Sequence, residues 1–163
     1  MIEELKNMLS RDFANLSFDL SGWNTVLSDS SYASVYHQVS NVDYYSAYFQ
    51  GENISFVLIE DQKPIAIFPI FAYQDNNEWK LSSNSLGVIS PLFIRDIPKK
   101  SRKRLEKQFI EIILLISKKL KLRKIVLFEH SYFLSNWFLL WLERADKDFI
   151  TYQLAIDLRQ SVE

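Results

Sequence analysis

Four side chains in this chain combine suitable chemistry with suggestive positions: Tyr36, His37, Glu129 and His130. Imidazole, carboxylate and phenol can donate or accept hydrogen bonds to a polar substrate. Glu129 and His130 directly follow the apolar run Lys124–Glu129, which reads as a short, buried parallel strand. Ligands in α/β proteins gather at the carboxyl ends of such strands. Tyr36 and His37 stand together just before a predicted helix. The same residues also have plain packing roles open to them. His130 suits the cap of a strand or of the following helix, and His37 suits packing at a helix entry. The spacing predicts no metal site: the two histidines lie far apart with no ligand-spaced partners, and there is no cysteine. No phosphate-binding loop, dinucleotide fingerprint or nucleophile elbow occurs. No catalytic residue is assigned.

A second group is electrostatic. The formal net charge is −1, yet residues 95–124 hold twelve of the nineteen Lys and Arg and three of the twenty acids. That stretch carries +9 and the remainder −10, so the field is dipolar and the segment suits an anionic partner. Lys99, Lys100, Arg102, Lys103 and Arg104 fall in the first two turns of a predicted helix, where cations oppose the helix dipole. Folding alone does not call for them there. Lys99, Lys100, Arg102 and Lys103 are therefore candidate anion-binding residues, for a phosphate-bearing precursor or a transfer RNA. A solvated basic face is the alternative.

The elements that would carry these residues follow from pattern. At 163 residues, 48% hydrophobic and 15% aromatic, the chain fits one globular domain spanning 1–163. The longest apolar run, Trp137 to Leu142, falls far short of the ~20 residues that span a bilayer. The acidic start lacks the positive region of a secretory signal, so a cytoplasmic location is expected. Ile2, Leu5, Leu9 and Phe13 predict an opening amphipathic helix, and Val42–Phe49 a second one closed by Gly51. A meander follows: Ile54–Glu60, a turn at Asp61-Gln62-Lys63, and Pro64–Tyr73 with Pro69 at a bulge or edge. Next come a turn at Asp75-Asn76-Asn77, Glu78–Ser82, and Leu86–Ile94 interrupted by Ser90-Pro91. Then come a long helix over about Pro98–Lys121, the strand Lys124–Glu129, a helix Tyr132–Arg144 and a last strand Phe149–Leu158. The class is α/β (α+β), in the order α-α-β-β-β-β-α-β-α-β.

That order resembles the GNAT acyltransferase fold, with its mixed sheet. Locally, Ser34-Val35-Tyr36-His37, Pro64-Ile65-Ala66-Ile67-Phe68-Pro69-Ile70 and Leu86-Gly87-Val88-Ile89-Ser90-Pro91 resemble the amino-terminal half of FemAB-type transferases. Thr151 and Ile156-Asp157-Leu158, followed by Ser161-Val162-Glu163, look like the strand that ends that half. The resemblance implies a second GNAT-like unit beyond Glu163, and a whole protein that transfers acyl or aminoacyl groups. The acceptor would be an amine on a cell-wall or surface-polysaccharide precursor. This half alone would shape the acceptor cleft and be inactive.

GNAT enzymes hold acyl-CoA on backbone amides at a helix start, which needs glycine for close approach. The matching turn here, Phe93-Ile94-Arg95-Asp96-Ile97-Pro98-Lys99, has none, and Pro98 is expected to remove a donor. No cofactor is therefore expected. The helix around Trp137-Phe138-Leu139-Leu140-Trp141-Leu142 is apolar nearly all round. With Trp137 and Trp141 on the sheet, Phe138 and Leu142 are expected to turn away, toward a second unit or a homodimer. A helix buried within the domain remains the alternative. Two other functional classes stay open: a binding or scaffold module without chemistry, and a small N-acetyltransferase with an atypical CoA site.

Overall fold

The computed structural model describes residues 1–128 and 136–142, except for the side chains of Asn136 and Leu142. Glu129, His130, the predicted strand Phe149–Leu158 and the Thr151–Glu163 motif lie outside the described residues. The rest is a mixed α+β fold with two antiparallel sheets and, among the described residues, five α-helices.

Helix α1 (Ile2–Asp12) buries Ile2, Leu5 and Leu9, the stripe that predicts it. Strand β1 (Leu16–Ser17) follows, then a helix α2 (Trp23–Asp29) that the sequence pattern does not announce. A 3-10 turn at Val35–His37 leads into α3 (Val39–Tyr48). Gly51 does not close α3 by adopting a left-handed conformation. Gln50 does that, with φ 53°. Gly51 is needed for close approach instead, since a Cβ there would lie 2.5 Å from the Ala72 carbonyl oxygen.

Among the described residues seven strands follow a corrected plan. One mixed sheet is expected, and two antiparallel ones are observed. The larger has the order β1-β3-β4-β7, with β3 at Phe56–Glu60, β4 at Lys63–Phe68 and β7 at Leu92–Phe93. The smaller has the order β2-β5-β6, with β2 at Glu52–Asn53, β5 at Phe71–Asp75 and β6 at Glu78–Ser82. The predicted strand Pro64–Tyr73 is thus divided at Pro69-Ile70, where proline has no N–H to give a ladder. Ser55 replaces the missing pairing: its Oγ accepts from Ile70 N at 3.0 Å and donates to Ile70 O at 3.1 Å. Both predicted hairpin turns form. Asp61-Gln62 and Asn76-Asn77 take φ between 48° and 62°, the left-handed pair of a two-residue hairpin loop.

The larger sheet is covered on both faces. Phe56, Leu58, Ala66 and Phe68 pack with α1 and with helix α4 (Lys99–Leu120), and Val57 and Ile67 pack with Trp23 and Val26 of α2. This alternation follows from the two-residue period of a strand. The short helix α5 (Asn136–Leu142) inserts Trp137 beside Phe68, with ring centroids 5.7 Å apart. Of the predicted strand Lys124–Glu129, the described residues form one parallel bridge, Val88 to Leu127. Its two hydrogen bonds are Val88 N to Val126 O, 2.9 Å, and Phe128 N to Val88 O, 2.8 Å. Gly87, at φ 150°, permits it, because a Cβ would stand 2.6 Å from the Val126 oxygen.

Candidate functional site

Of the predicted substrate residues, Tyr36 and His37 lie beside the Val88–Leu127 parallel pair. Ser34 begins the 3-10 turn, and its backbone N–H donates to His37 Nδ1 at 3.3 Å. A nitrogen that accepts a backbone proton carries none itself, which assigns the ring proton to Nε2. Nε2 lies 3.2 Å from the Ser90 oxygen and donates to it. The Ser34 hydroxyl, 3.0 Å from Nδ1, donates to the same nitrogen. On the other side Trp23 Nε1 donates to the His37 carbonyl at 2.8 Å. His37 is 1% exposed. Both ring nitrogens are engaged, so His37 positions the turn and its neighbours.

Tyr36, half-buried beside it, sets its ring edge-on to Phe128 at 6.1 Å and 89°. Phe128 is the residue before Glu129 and His130, which themselves lie outside the described residues. The fold therefore joins the Ser34–His37 segment to the Leu86–Pro91 segment and to the end of residues 124–128. The edge-on aromatic contact ties the turn before α3 to the end of residues 124–128.

The start of α4 lies close by in sequence but carries different chemistry. Pro98 is the residue before the helix, not its first position, and its carbonyl accepts from Arg102 N at 2.9 Å. It leaves the first-turn amides in place, contrary to the expectation. Two other amides of the turn are spent inside the fold: Ile94 N bonds Ile65 O and Arg95 N bonds Asp29 O, each at 3.1 Å. That turn has no glycine to let a pyrophosphate approach its backbone closely.

The basic residues separate into two kinds. Arg102 Nε bonds Glu106 Oε1 at 3.1 Å, with its guanidinium 5.1 Å from the centre of the Phe93 ring. Glu106 is 1% exposed, so Arg102 serves a buried carboxylate. Arg104 pairs with Glu60. Lys99, Lys100 and Lys103 are exposed, and among the described residues none of the three forms an ion pair. The Arg102–Glu106 spacing of four is legible as a helical pair, but its burial is not.

Among the described residues no group of three His, Asp or Glu is placed to hold a metal ion, and no helix is long and apolar enough to cross a membrane. No protein-family model, no curated protein and no solved structure matches the chain.

Proposed function

We propose that this chain is the acceptor-shaping half of a FemAB-like acyltransferase whose second GNAT-like unit completes the active site. The observation that supports this reading is the parallel pairing of Val88 with Leu127 across helix α4. It sets the Tyr36–Phe128 contact next to the end of a parallel bridge whose two sides are connected through α4, a position like that of sites in α/β proteins. The acceptor is an amine on a cell-wall or surface-polysaccharide precursor. Its lone pair attacks an activated carbonyl, a C–N bond forms, the leaving group departs with the carbonyl's former bonding pair, and the ammonium loses a proton. Tyr36 bounds the acceptor, His37 holds the Tyr36 turn to Ser90, and Lys99, Lys100 and Lys103 attract the precursor's phosphates. The outer side of α5 meets the second unit.

A titration of this chain with an amine-bearing, nucleotide-linked cell-wall precursor tests the reading. Backbone amide signals of Tyr36, His37 and Phe128 are expected to shift saturably, while acetyl-CoA produces no heat of binding. No shift at these residues, or micromolar acetyl-CoA binding by calorimetry, overturns it; the latter points to a self-sufficient N-acetyltransferase.

A further inference from the structure

At the other end of α4 from its basic start, an open groove of about 750 Å³ runs between α1 and the last turns of α4. Ligand sites commonly hold roughly 300–1,000 Å³. Its apolar lining is Met1, Met8 and Leu115, and its polar lining is Glu4, Lys118, Lys119 and Lys121. The chain has two methionines, and both line this groove. Unbranched thioether side chains adapt readily to flexible apolar ligands.

The charges are unevenly spent. Lys119 Nζ bonds Glu4 Oε1 at 2.6 Å, so that pair neutralises itself. Lys118 and Lys121 enter no ion pair among the described residues. Lys121 is fixed at the end of α4 in the left-handed conformation, φ 55°, with its N–H bonded to Lys118 O at 3.4 Å. Helix dipoles favour cations at this end. That accounts for lysines here, but not for the open apolar floor beside them.

We propose that this groove binds a single-chain anionic amphiphile, a long-chain carboxylate. Its alkyl chain lies along Met1, Met8 and Leu115, and its carboxylate meets Lys118 and Lys121. A purely apolar partner would leave the two ammonium groups unused, and a nucleic acid would leave the apolar floor unused. This site is separate from the Tyr36–Phe128 region, and its test does not depend on acyl transfer.

The experiment is a titration of the chain, labelled with ¹³C-methyl methionine, with dodecanoate below its micelle concentration. Both methyl signals are expected to shift saturably. Lys118→Gln with Lys121→Gln should weaken binding by about tenfold, as two partly exposed ion pairs allow. Met8→Glu should abolish it with both lysines intact, and circular dichroism of each variant checks that the fold persists. Decyl maltoside, a neutral amphiphile, should bind far more weakly than dodecanoate. Unmoved methyl signals overturn the proposal, as does equal binding of the neutral amphiphile. Shifts that follow protein concentration instead of dodecanoate also overturn it, and assign the groove to a second copy of the chain.

Discussion

His37 donates from Nε2 to the carbonyl of Ser90, 53 residues away in sequence, and so fastens the turn before α3 to the segment that carries the Val88–Leu127 bridge. The ring accepts two further hydrogen bonds from Ser34 at its other nitrogen. His37→Ala leaves the Ser90 oxygen and the Ser34 groups without these partners and opens a cavity. We expect a loss of about 2–4 kcal/mol in urea unfolding. Ser34→Ala removes one hydroxyl donor and should cost about 1 kcal/mol. The Val88 amide should exchange faster in His37→Ala than in the parent chain. Equal stability of parent and His37→Ala would show that the clasp holds nothing.

The basic start of α4 divides by partner. Arg102→Ala takes a cation from Glu106, whose side chain is 2% exposed, and should destabilise the fold by roughly 1–3 kcal/mol. Lys100→Glu with Lys103→Glu removes exposed cations that oppose the helix dipole. Stability should stay within about 0.5 kcal/mol or rise slightly. The double reversal should nevertheless weaken a nucleotide-linked anion, and that loss should shrink as salt screens the parent attraction. Destabilisation by the lysine changes, or ligand binding that ignores them, would contradict this division.

Glu4 titrates below its ordinary value of 4.5, because the Lys119 ammonium hydrogen-bonds its carboxylate and attracts its charge. A folded-state value below the unfolded one means that the pair's contribution is present above that ordinary range and is lost as pH falls through the folded value. The tie between α1 and α4 should therefore weaken only in acid. Carboxyl carbon shifts followed by NMR should give a depressed midpoint for Glu4, returning to the ordinary range in Lys119→Ala. An identical curve in the variant would show that the pair exerts no hold.

Long periodic elements were legible in the sequence and tertiary stitching was not. Helix α4 shows its stripe of Leu105, Phe109, Ile112, Ile113, Ile116 and Leu120 over 22 residues, and those side chains are its buried face. The turns at Asp61-Gln62 and Asn76-Asn77 were readable from residue types that tolerate positive φ. Helix α2 was not readable. Seven residues, polar except for Trp23, Val26 and Leu27, give too little period, and burial of Trp23 and Val26 against β3 and β4 supplies what propensity lacks. The division into two sheets falls at Pro69-Ile70, and the Ser55 hydroxyl that satisfies Ile70 there is a long-range partner that no local pattern carries. The candidate site followed the same rule. Tyr36 and His37 could be named, but their meeting with Phe128 and Ser90 belongs to the fold.

Helix α5 carries one polar residue in seven, and its two tryptophans are buried, Trp137 at 2% and Trp141 at 7% exposure. At about 100° per residue, Leu139 lies roughly 200° from Trp137 and 160° from Trp141, opposite both. It is 45% exposed, whereas Phe138 is half-buried; the side chain of Leu142 lies outside the described residues. The outward position is thus Leu139, which the pairing of Phe138 with Leu142 passed over. A lone exposed leucine is ordinary on a surface; if the second unit or second copy proposed for α5 covers this helix, Leu139 is the described side chain it would meet. Burying a leucine yields roughly 1.5–3 kcal/mol, so one such contact supports weak association only. Sedimentation at high protein concentration should accordingly show a weak dimer. Leu139→Glu should dissolve it while leaving thermal unfolding unchanged, and Phe138→Glu should lower stability as well. A monomer at every concentration, with Leu139 intact, would remove the ground for a partner at α5.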